Sequence, residues 1–262
     1  AALAALEARV AELASGITER DAKLAELEAA ARELELFSSA VSHDLRAPLR
    51  VVDGFATILR EDFASVLGRF GLDHVERITS ATARMNRMID ALLRLARVSS
   101  EPIEPEPVDL SALAAGIVDE LRRQEPQRTV EVDIAPSLRA QGDRTLLRIV
   151  LENLIGNAWK YSSRVPQPRI VFEAQAGPRG PVFCVRDNGA GFDMRFADRL
   201  FRVFQRLHSA SEFPGTGVGL ATVSRIVRRH RGRIWAESEP GQGARFWFTL
   251  NETDSPSSPT AG

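Results

Sequence analysis

Three prolines, Pro102, Pro105 and Pro107, fall inside the run Ser99-Ser-Glu-Pro-Ile-Glu-Pro-Glu-Pro-Val-Asp109 and divide the chain into two textures. Each proline removes an amide hydrogen and turns the residue before it away from helical dihedrals, so no helix crosses this run. With acidic spacers between the prolines it reads as a hinge or semi-rigid linker. Before it, apolar residues recur at intervals of three and four. After it, helix-like and strand-like stretches alternate. The 262 residues suffice for two or more modest domains, each with its own core.

The first texture carries a heptad pattern. With Leu3 as a, the a positions are Leu3, Val10, Ile17, Leu24, Ala31, Ser38, Leu45 and Val52, and the d positions Leu6, Leu13, Arg20, Leu27, Leu34, Val41, Pro48 and Phe55. Such spacing predicts a left-handed seam between helices. Flaws at Gly16, Arg20 and Ser38 make it an imperfect coil, which suits a transmitting element as well as a merely weak one. His43 falls at f, pointing away from the seam, whereas a buried structural histidine belongs at a or d. An exposed neutral imidazole is nucleophilic near neutral pH. Asp44 beside it is a candidate to take the Nδ1 proton, leaving Nε2 to attack. Pro48 leaves the Asp44 carbonyl without its helical donor, so a bend past His43 is expected.

A turn near Gly68 and Gly71 precedes a second amphipathic helix marked by Val75, Ile78, Thr82, Met85, Ile89, Leu92 and Ala96. One hairpin with one apolar face per helix buries too little surface alone. Two copies pairing into a four-helix bundle, a homodimer, are expected.

Beyond the linker the pattern predicts helices over about Leu110 to Arg123, Arg144 to Tyr161 and Thr216 to Arg229. It predicts strands over about Thr129 to Ile134, Arg169 to Ala174, Val182 to Arg186, Arg233 to Glu237 and Ala244 to Leu250. That order gives a sheet with helices on one face. The tail from Asn251 to Gly262 is polar and proline-rich, and is expected to be disordered.

Chemistry concentrates in this second half. Asn153, Asn157 and Lys160 are spaced by four and three, hence on one helix face. Carboxamide oxygens suit Mg²⁺ and a lysine suits phosphate oxygens, although alone the stripe is equally a solvated face. Asp187-Asn-Gly-Ala-Gly191 directly follows a strand. A carboxylate there can accept a hydrogen bond from an adenine amino group, with Gly189 and Gly191 letting the backbone approach the base. Gly215-Thr-Gly-Val-Gly219 opens a helix whose free amides can bind phosphate. Either glycine motif alone also marks an ordinary turn. In this order, behind the asparagine helix, they point to a nucleotide. The twenty or so residues between them, with Phe196, Phe201, Phe204 and Phe213, have the length of a lid. Arg202 and Arg206 are candidates to reach a terminal phosphate.

Other classes are disfavoured. The second glycine run follows a loop rather than a strand and its third glycine is one residue early for a dinucleotide fingerprint. No Walker A lysine motif occurs. A net charge of −1 gives no general attraction to nucleic acid or an anionic membrane, and the basic cluster Arg225 to Arg233 closes a helix expected to end at Gly232. The lone Cys184 forms no intrachain disulfide and sits in an apolar strand run. No apolar stretch approaches the roughly 20 residues that span a bilayer and no signal-peptide pattern opens the chain, so a cytoplasmic location is expected.

The motif set resembles the transmitter core of a sensor histidine kinase. Ser42-His-Asp-Leu-Arg-Ala-Pro-Leu49 is similar to the acceptor-histidine motif, and Asn153 to Tyr161 to the asparagine box. Asp187 to Gly191 and Gly215 to Leu220 are similar to the two glycine boxes, and Phe201-Arg-Val-Phe204 to the phenylalanine box. The likeness covers about residues 35 to 250 and is nearest to transmitters behind bacteriophytochromes and PAS-containing sensors, through Phe204-Gln-Arg-Leu-His-Ser209 and Ala236-Glu237. It implies an α+β chain: a coiled-coil input helix over 1–34, a dimerising phosphotransfer hairpin over 35–98, a linker over 99–108, a Bergerat-type ATP-binding sandwich over 109–250 and a tail over 251–262.

By the same resemblance His43 is autophosphorylated from ATP, and the phosphoryl group passes to an aspartate of a response-regulator receiver domain. Asn157 is the implied Mg²⁺ ligand; Asn153, Lys160 and Tyr161 line the nucleotide; Asp187 reads adenine; Arg206 is the lid arginine near the phosphates. Gly189, Gly191, Gly215, Gly217 and Gly219 belong to the nucleotide-binding turns. An upstream sensor domain is implied to act through the first helix. Ala47 stands where many members carry the threonine or asparagine associated with dephosphorylating the regulator, so phosphatase activity is not implied. Related ATPases place a water-activating glutamate where Asn153 stands, and an amide cannot act as that base. The competing readings are an ATP-driven clamp without phosphotransfer and a non-enzymatic dimeric scaffold.

Overall fold

The computed structural model describes residues 2–100, 102–209, 212–213 and 215–251, with side chains in the first helix described mainly from residue 40 onward. The chain divides into two compact units, Ala1–Ser100 and Glu101–Gly262.

The first unit is a hairpin of α1 (Ala2–Asp62) and α2 (Ala64–Ser100). Pro48 is carried inside α1 without ending it. At the tip, the amides of Val66 and Leu67 both donate to the Phe63 carbonyl at 3.0 Å. Gly68 then takes φ 61°, a left-handed value at which a side chain is strained, before the helix resumes. The turn therefore sits at Phe63 to Gly68, and Gly71 is already helical.

The heptad register meets a division of labour. Ser42, Leu49 and Ala56, seven residues apart at position e, are buried against α2, as are Val75, Thr82 and Ile89 from the other side. Arg46 pairs with Asp90 across the hairpin. The buried Thr82 hydroxyl donates to the Ile78 carbonyl at 3.0 Å, one turn back. The seam positions do something else: Leu45, Val52 and Phe55 are 47%, 44% and 64% exposed within one chain. Ile78 and Met85 are likewise exposed, so the expected apolar stripe of α2 is split between two directions. The a and d residues from Leu3 to Val10 and from Leu24 to Ser38, with Leu13, lie outside the described side chains, as does that of His43. Its expected outward f position and its pairing with Asp44 are thus outside the described residues, while Ile17 of the coil is exposed.

In the second unit, the part of the expected linker nearest α3 is a strand. β1 (Glu106–Asp109) pairs antiparallel with β3 (Arg139–Gly142) as a two-stranded sheet. Both strands of a two-stranded sheet are edges, and an edge strand tolerates a proline such as Pro107. At the other end, α2 runs to Ser100, so the true break is shorter than the proline run suggested. Asp109 caps α3 (Leu110–Gln124) by accepting from the Ala112 amide at 2.9 Å. Asp143 caps α4 (Arg144–Tyr161) by accepting from the Leu146 amide at 3.0 Å.

The main sheet has the order β2-β4-β5-β7-β6, with β2 (Glu131–Ile134) parallel to β4 (Arg169–Gly177). The pairs among β4, β5 (Gly180–Asp187), β7 (Ala244–Thr249) and β6 (Ile234–Ser238) are antiparallel. α4 packs between α3 and α5 (Gly219–Arg229) and against β4 and β5. Its Leu147, Val150, Leu151, Leu154, Ile155 and Trp159 meet Ile170, Phe172, Phe183 and Phe248 in the core. Phe183 stacks on Phe248 with centroids 5.2 Å apart. Cys184 is fully buried, and burial pushes its thiol up to about 12, so it is inert packing.

His230 ties the two ends of this layer. Its Nε2 accepts from the Asp143 amide at 3.0 Å and its Nδ1 donates to the Ile226 carbonyl at 2.9 Å, which fixes it as the neutral tautomer. Burial lowers its pKa accordingly. The basic close of α5 is as expected, with Arg228 and Arg229 in the last turn. The left-handed residue there is Arg231 (φ 54°), not Gly232. Gly232 is needed for another reason: a Cβ on it would lie 1.8 Å from the Thr249 carbonyl oxygen. Residues 252–262, expected as a disordered tail, lie outside the described residues.

Candidate functional site

An open cleft of about 220 Å³ lies between α4, the turn after β5 and the segment leading into α5. Asn153, Asn157, Lys160, Tyr161, Asp187, Gly191, Arg206, Gly215, Gly217 and Gly219 all line it. Sequence spacing had brought the α4 residues to one face; the fold adds the rest from positions 26 to 58 residues downstream of Tyr161.

One end of the cleft is built around Asp187. This carboxylate closes β5 and is 5% exposed. Burial raises its pKa to about 6, against the amides of Gly189 and Ala244, which hydrogen-bond to it and favour its charged form. The Gly189 contact is 2.8 Å, to Oδ1. A buried acceptor with spare lone pairs suits a ligand's amino group. Phe192, Ala244 and Phe246 supply apolar wall beside it.

The glycines of this turn serve the protein more than the ligand. A Cβ on Gly189 would stand 2.5 Å from the Tyr161 carbonyl oxygen, and one on Gly191 2.1 Å from that of Glu239. Gly189 does not line the cleft, and both glycines make close approaches to the backbone of neighbouring elements. Gly191 does line it, at φ 59°.

The other end is cationic. Lys160 Nζ donates to Asn157 Oδ1 at 3.2 Å and lies 4.1 Å from the centroid of the Tyr161 ring. Burial first, and the nearby Arg206 guanidinium second, lower its pKa to about 8. An anion in the cleft relieves both penalties. Asn153 donates from Nδ2 to the Ile149 carbonyl at 2.8 Å. Gly219, the first residue of α5, abuts its amide oxygen: a Cβ there would sit 2.3 Å from Asn153 Oδ1. The second glycine motif therefore brings the N-terminus of a helix against the asparagine face, and the free amides of that terminus favour negative charge.

The described part of the intervening segment, expected as a lid, is folded. A 3₁₀ helix over Met194–Arg199 starts it, capped by Asp193. Arg206 Nη1 donates to the Gly215 carbonyl at 2.9 Å, and Nη2 donates to the carbonyls of Ser209, at 3.2 Å, and Phe213. Phe204 at φ 63° donates its amide to the Gly217 carbonyl at 2.9 Å. Of the four phenylalanines, Phe213 is buried in the domain, Phe201 is half-buried, and Phe196 and Phe204 remain exposed. Arg202 does not line the cleft; Arg199 does, a residue the spacing gave no reason to choose. His208 also lines it and was not singled out as a site residue, because its partners lie far off in sequence.

Residues 33–101 match the family model of the His Kinase A phospho-acceptor domain, and residues 142–254 that of the histidine kinase-, DNA gyrase B- and HSP90-like ATPase. The chain is a histidine kinase transmitter core. The core is 35% identical to cyanobacterial phytochrome B of Nostoc sp. (strain PCC 7120) over 87% of its length and 30% of the relative's. It is 33% identical to the phosphate regulon sensor protein PhoR of Pseudomonas aeruginosa over 80% of its length and 48% of that protein's. The transmitter thus spans about a third of the phytochrome-type relatives it matches. Among solved structures, full-length ShkA in complex with AMPPNP superposes with a TM-score of 0.57 at 27% identity, covering 82% of this chain and 45% of that one. The second unit is accordingly an ATP-binding domain, and the first a phospho-acceptor hairpin. No helix among the described residues is long and apolar enough to cross a membrane.

Proposed function

We propose that the chain is an ATP-dependent autokinase that phosphorylates His43 and passes the phosphoryl group to an aspartate of a response-regulator receiver domain. The observation that carries this reading is the distribution of charge in the cleft. Among the described lining residues the one carboxylate is Asp187, which closes β5, whereas Lys160 on α4, Arg199 and Arg206 supply cations and α5 supplies its N-terminus. No lining carboxylate stands beside the cations to activate water, and Asn153 cannot take a proton. A bound phosphate chain is thereby protected from hydrolysis and kept for a nucleophile supplied from elsewhere.

In this reading Asp187 accepts from the adenine amino group while Lys160, Arg206 and the first amides of α5 hold the phosphates. Asn157 fits as a Mg²⁺ ligand: its amide oxygen is a hard neutral donor aimed at the cationic end, where Lys160 now donates to it at 3.2 Å. The ion, when bound, neutralises charge building on the phosphoryl oxygens. His43 supplies the attacking Nε2, and Asp44 orients the ring and takes its Nδ1 proton. Attack in line at phosphorus forms the N–P bond as the bond to the leaving ADP oxygen breaks.

The exposed seam of Leu45, Val52 and Phe55 supports a homodimer, in which a second copy covers it. An upstream sensor domain acting through α1 would change how often the ATP-binding unit engages the hairpin, a population effect. Insertions into the coil that left the autokinase rate untouched would refute that. The enzymatic reading is tested by incubating the chain with γ-phosphate-labelled ATP and Mg²⁺ beside His43→Gln. Acid-labile, alkali-stable label that disappears in the variant is expected. Nucleotide binding without label favours a clamp, and loss of both favours a scaffold.

A further inference from the structure

We propose that His208 is a positioning residue that clips the lid to the first glycine turn and so sets nucleotide affinity. The inference rests on the nucleotide reading above and deepens it. His208 Nε2 donates to the Gly191 carbonyl at 2.8 Å, a contact spanning 17 residues. Its ring is also packed in a three-ring cluster: the centroid lies 5.2 Å from that of Tyr161 and 5.2 Å from that of Phe213, and those two are 5.0 Å apart. Phe213 is 3% exposed, so the cluster is a small core of its own under the lid.

Tyr161 makes the arrangement closed. Its ring carries the lid cluster, while its carbonyl accepts from the Ala190 amide at 3.1 Å, one residue before the carbonyl that His208 holds. The end of α4, the Asp187 turn and the lid therefore form a loop of contacts with His208 as the closing member. All three parts line the cleft: Tyr161 beside Lys160, Gly191 in the Asp187 turn, and His208 with Arg206 in the lid. Arg206 is committed to the carbonyls of Gly215, Ser209 and Phe213, which shapes the lid internally but does not attach it to the domain. Attachment falls to His208 and Phe213, with Arg164 holding the far side of the lid by donating to the Glu212 carbonyl at 2.9 Å; of these contacts only that of His208 reaches the Asp187 turn. A lid already fixed when the ligand arrives loses less conformational entropy on binding, and this appears as affinity.

Two variants separate the hydrogen bond from bulk packing. His208→Ala removes both, whereas His208→Gln keeps an amide donor at about the reach of Nε2. The full chain is titrated with a fluorescent ATP analogue, autokinase KM and kcat are measured, and tryptic cutting within the lid, which holds Arg199, Arg202 and Arg206, is timed without nucleotide. His208→Ala is expected to weaken binding and raise KM about tenfold, lower kcat less than about threefold, and speed lid cleavage. His208→Gln is expected to recover most of the affinity. Unchanged affinity in His208→Ala, or a loss confined to thermal stability or kcat, overturns the proposal. Absence of binding by the unaltered chain instead refutes the nucleotide reading itself.

Discussion

The two units of this chain solve the problem of an apolar surface in opposite ways. The ATP-binding unit closes its own core: every large apolar residue of α4 from Leu146 to Trp159 except the half-buried Ile149 is buried, against the sheet on one side and α3 and α5 on the other. The hairpin closes half of one. Its e positions and every second apolar position of α2 pack together, while Leu45, Val52, Phe55, Ile78 and Met85 stay in water. A binding site needs walls held from within one chain; a signalling bundle needs a surface that a second copy completes and a signal can repack. The contrast also separates what each unit's defects cost. Within the ATP-binding unit the destabilising features, a buried carboxylate and a lysine short of its full charge, sit in the cleft, where a ligand relieves them.

The comparison breaks most visibly at the seam. Val52→Glu combined with Phe55→Glu is expected to abolish dimerisation in sedimentation velocity while nucleotide affinity changes less than about twofold. Coupled loss of both would mean that the units are not independent. Next is Asp187→Asn. Exchanging one carboxylate oxygen for an amide NH2, a donor facing the base amino group, is expected to weaken nucleotide binding about a hundredfold by calorimetry, yet to stabilise the nucleotide-free chain at neutral pH. The sign follows from the raised pKa. The native state holds its proton up to about pH 6 and an unfolded carboxyl releases it near 3.8, so Asp187 favours the fold in acid and that benefit fades as pH rises through about 6. The gain in the variant is bounded at about 3 kcal/mol, to be read from melts between pH 4 and 8.

Two further effects are smaller. Phosphate binding restores full charge to Lys160, whose pKa is about 8 without ligand, so affinity is expected to fall as pH rises above about 8, at most tenfold per pH unit for one proton. Lys160→Met should flatten that slope. His230 acts in the other direction. Its lowered pKa and its role as acceptor from Asp143 mean that an unfolded chain binds the proton first, so stability is expected to drop as pH falls below about 6.5. His230→Gln should remove that part of the acid sensitivity at a cost on the order of 1 kcal/mol at neutral pH.

Much of this was legible in the sequence where one local rule acted alone. The bounds of α4 emerged at Arg144 and Tyr161 because an aspartate cap precedes an unbroken apolar period. The asparagine face followed from helix geometry, and its Asp187 and glycine partners from their place after a strand and before a helix. What stayed hidden depended on neighbours far along the chain. β1 and β3 escaped because Pro107 argues against a strand and Arg139-Ala-Gln-Gly142 has no apolar alternation. The heptad register marked an apolar stripe that stays exposed in one chain but could not say that position e, with Leu49 between Ser42 and Ala56, would hold the hairpin together. Gly189, Gly191 and Gly232 were read as freedom for a ligand or a turn, and the sequence did not show that each also makes a close approach to backbone from another element. Arg199 was passed over for Arg202 because spacing does not reveal how a short 3₁₀ helix turns its arginines. His208 belonged to a quoted motif, but its meaning required Gly191, 17 residues upstream.

The central claim is that the cleft keeps a phosphoryl group from water and delivers it to an imidazole on the other unit. Its most direct test is mass spectrometry of the chain after incubation with ATP and Mg²⁺, alongside a count of free phosphate released. The account predicts a phosphoryl group on the peptide carrying His43 and little free phosphate. ATP consumed stoichiometrically into free phosphate, with the His43 peptide unmodified throughout, would contradict it.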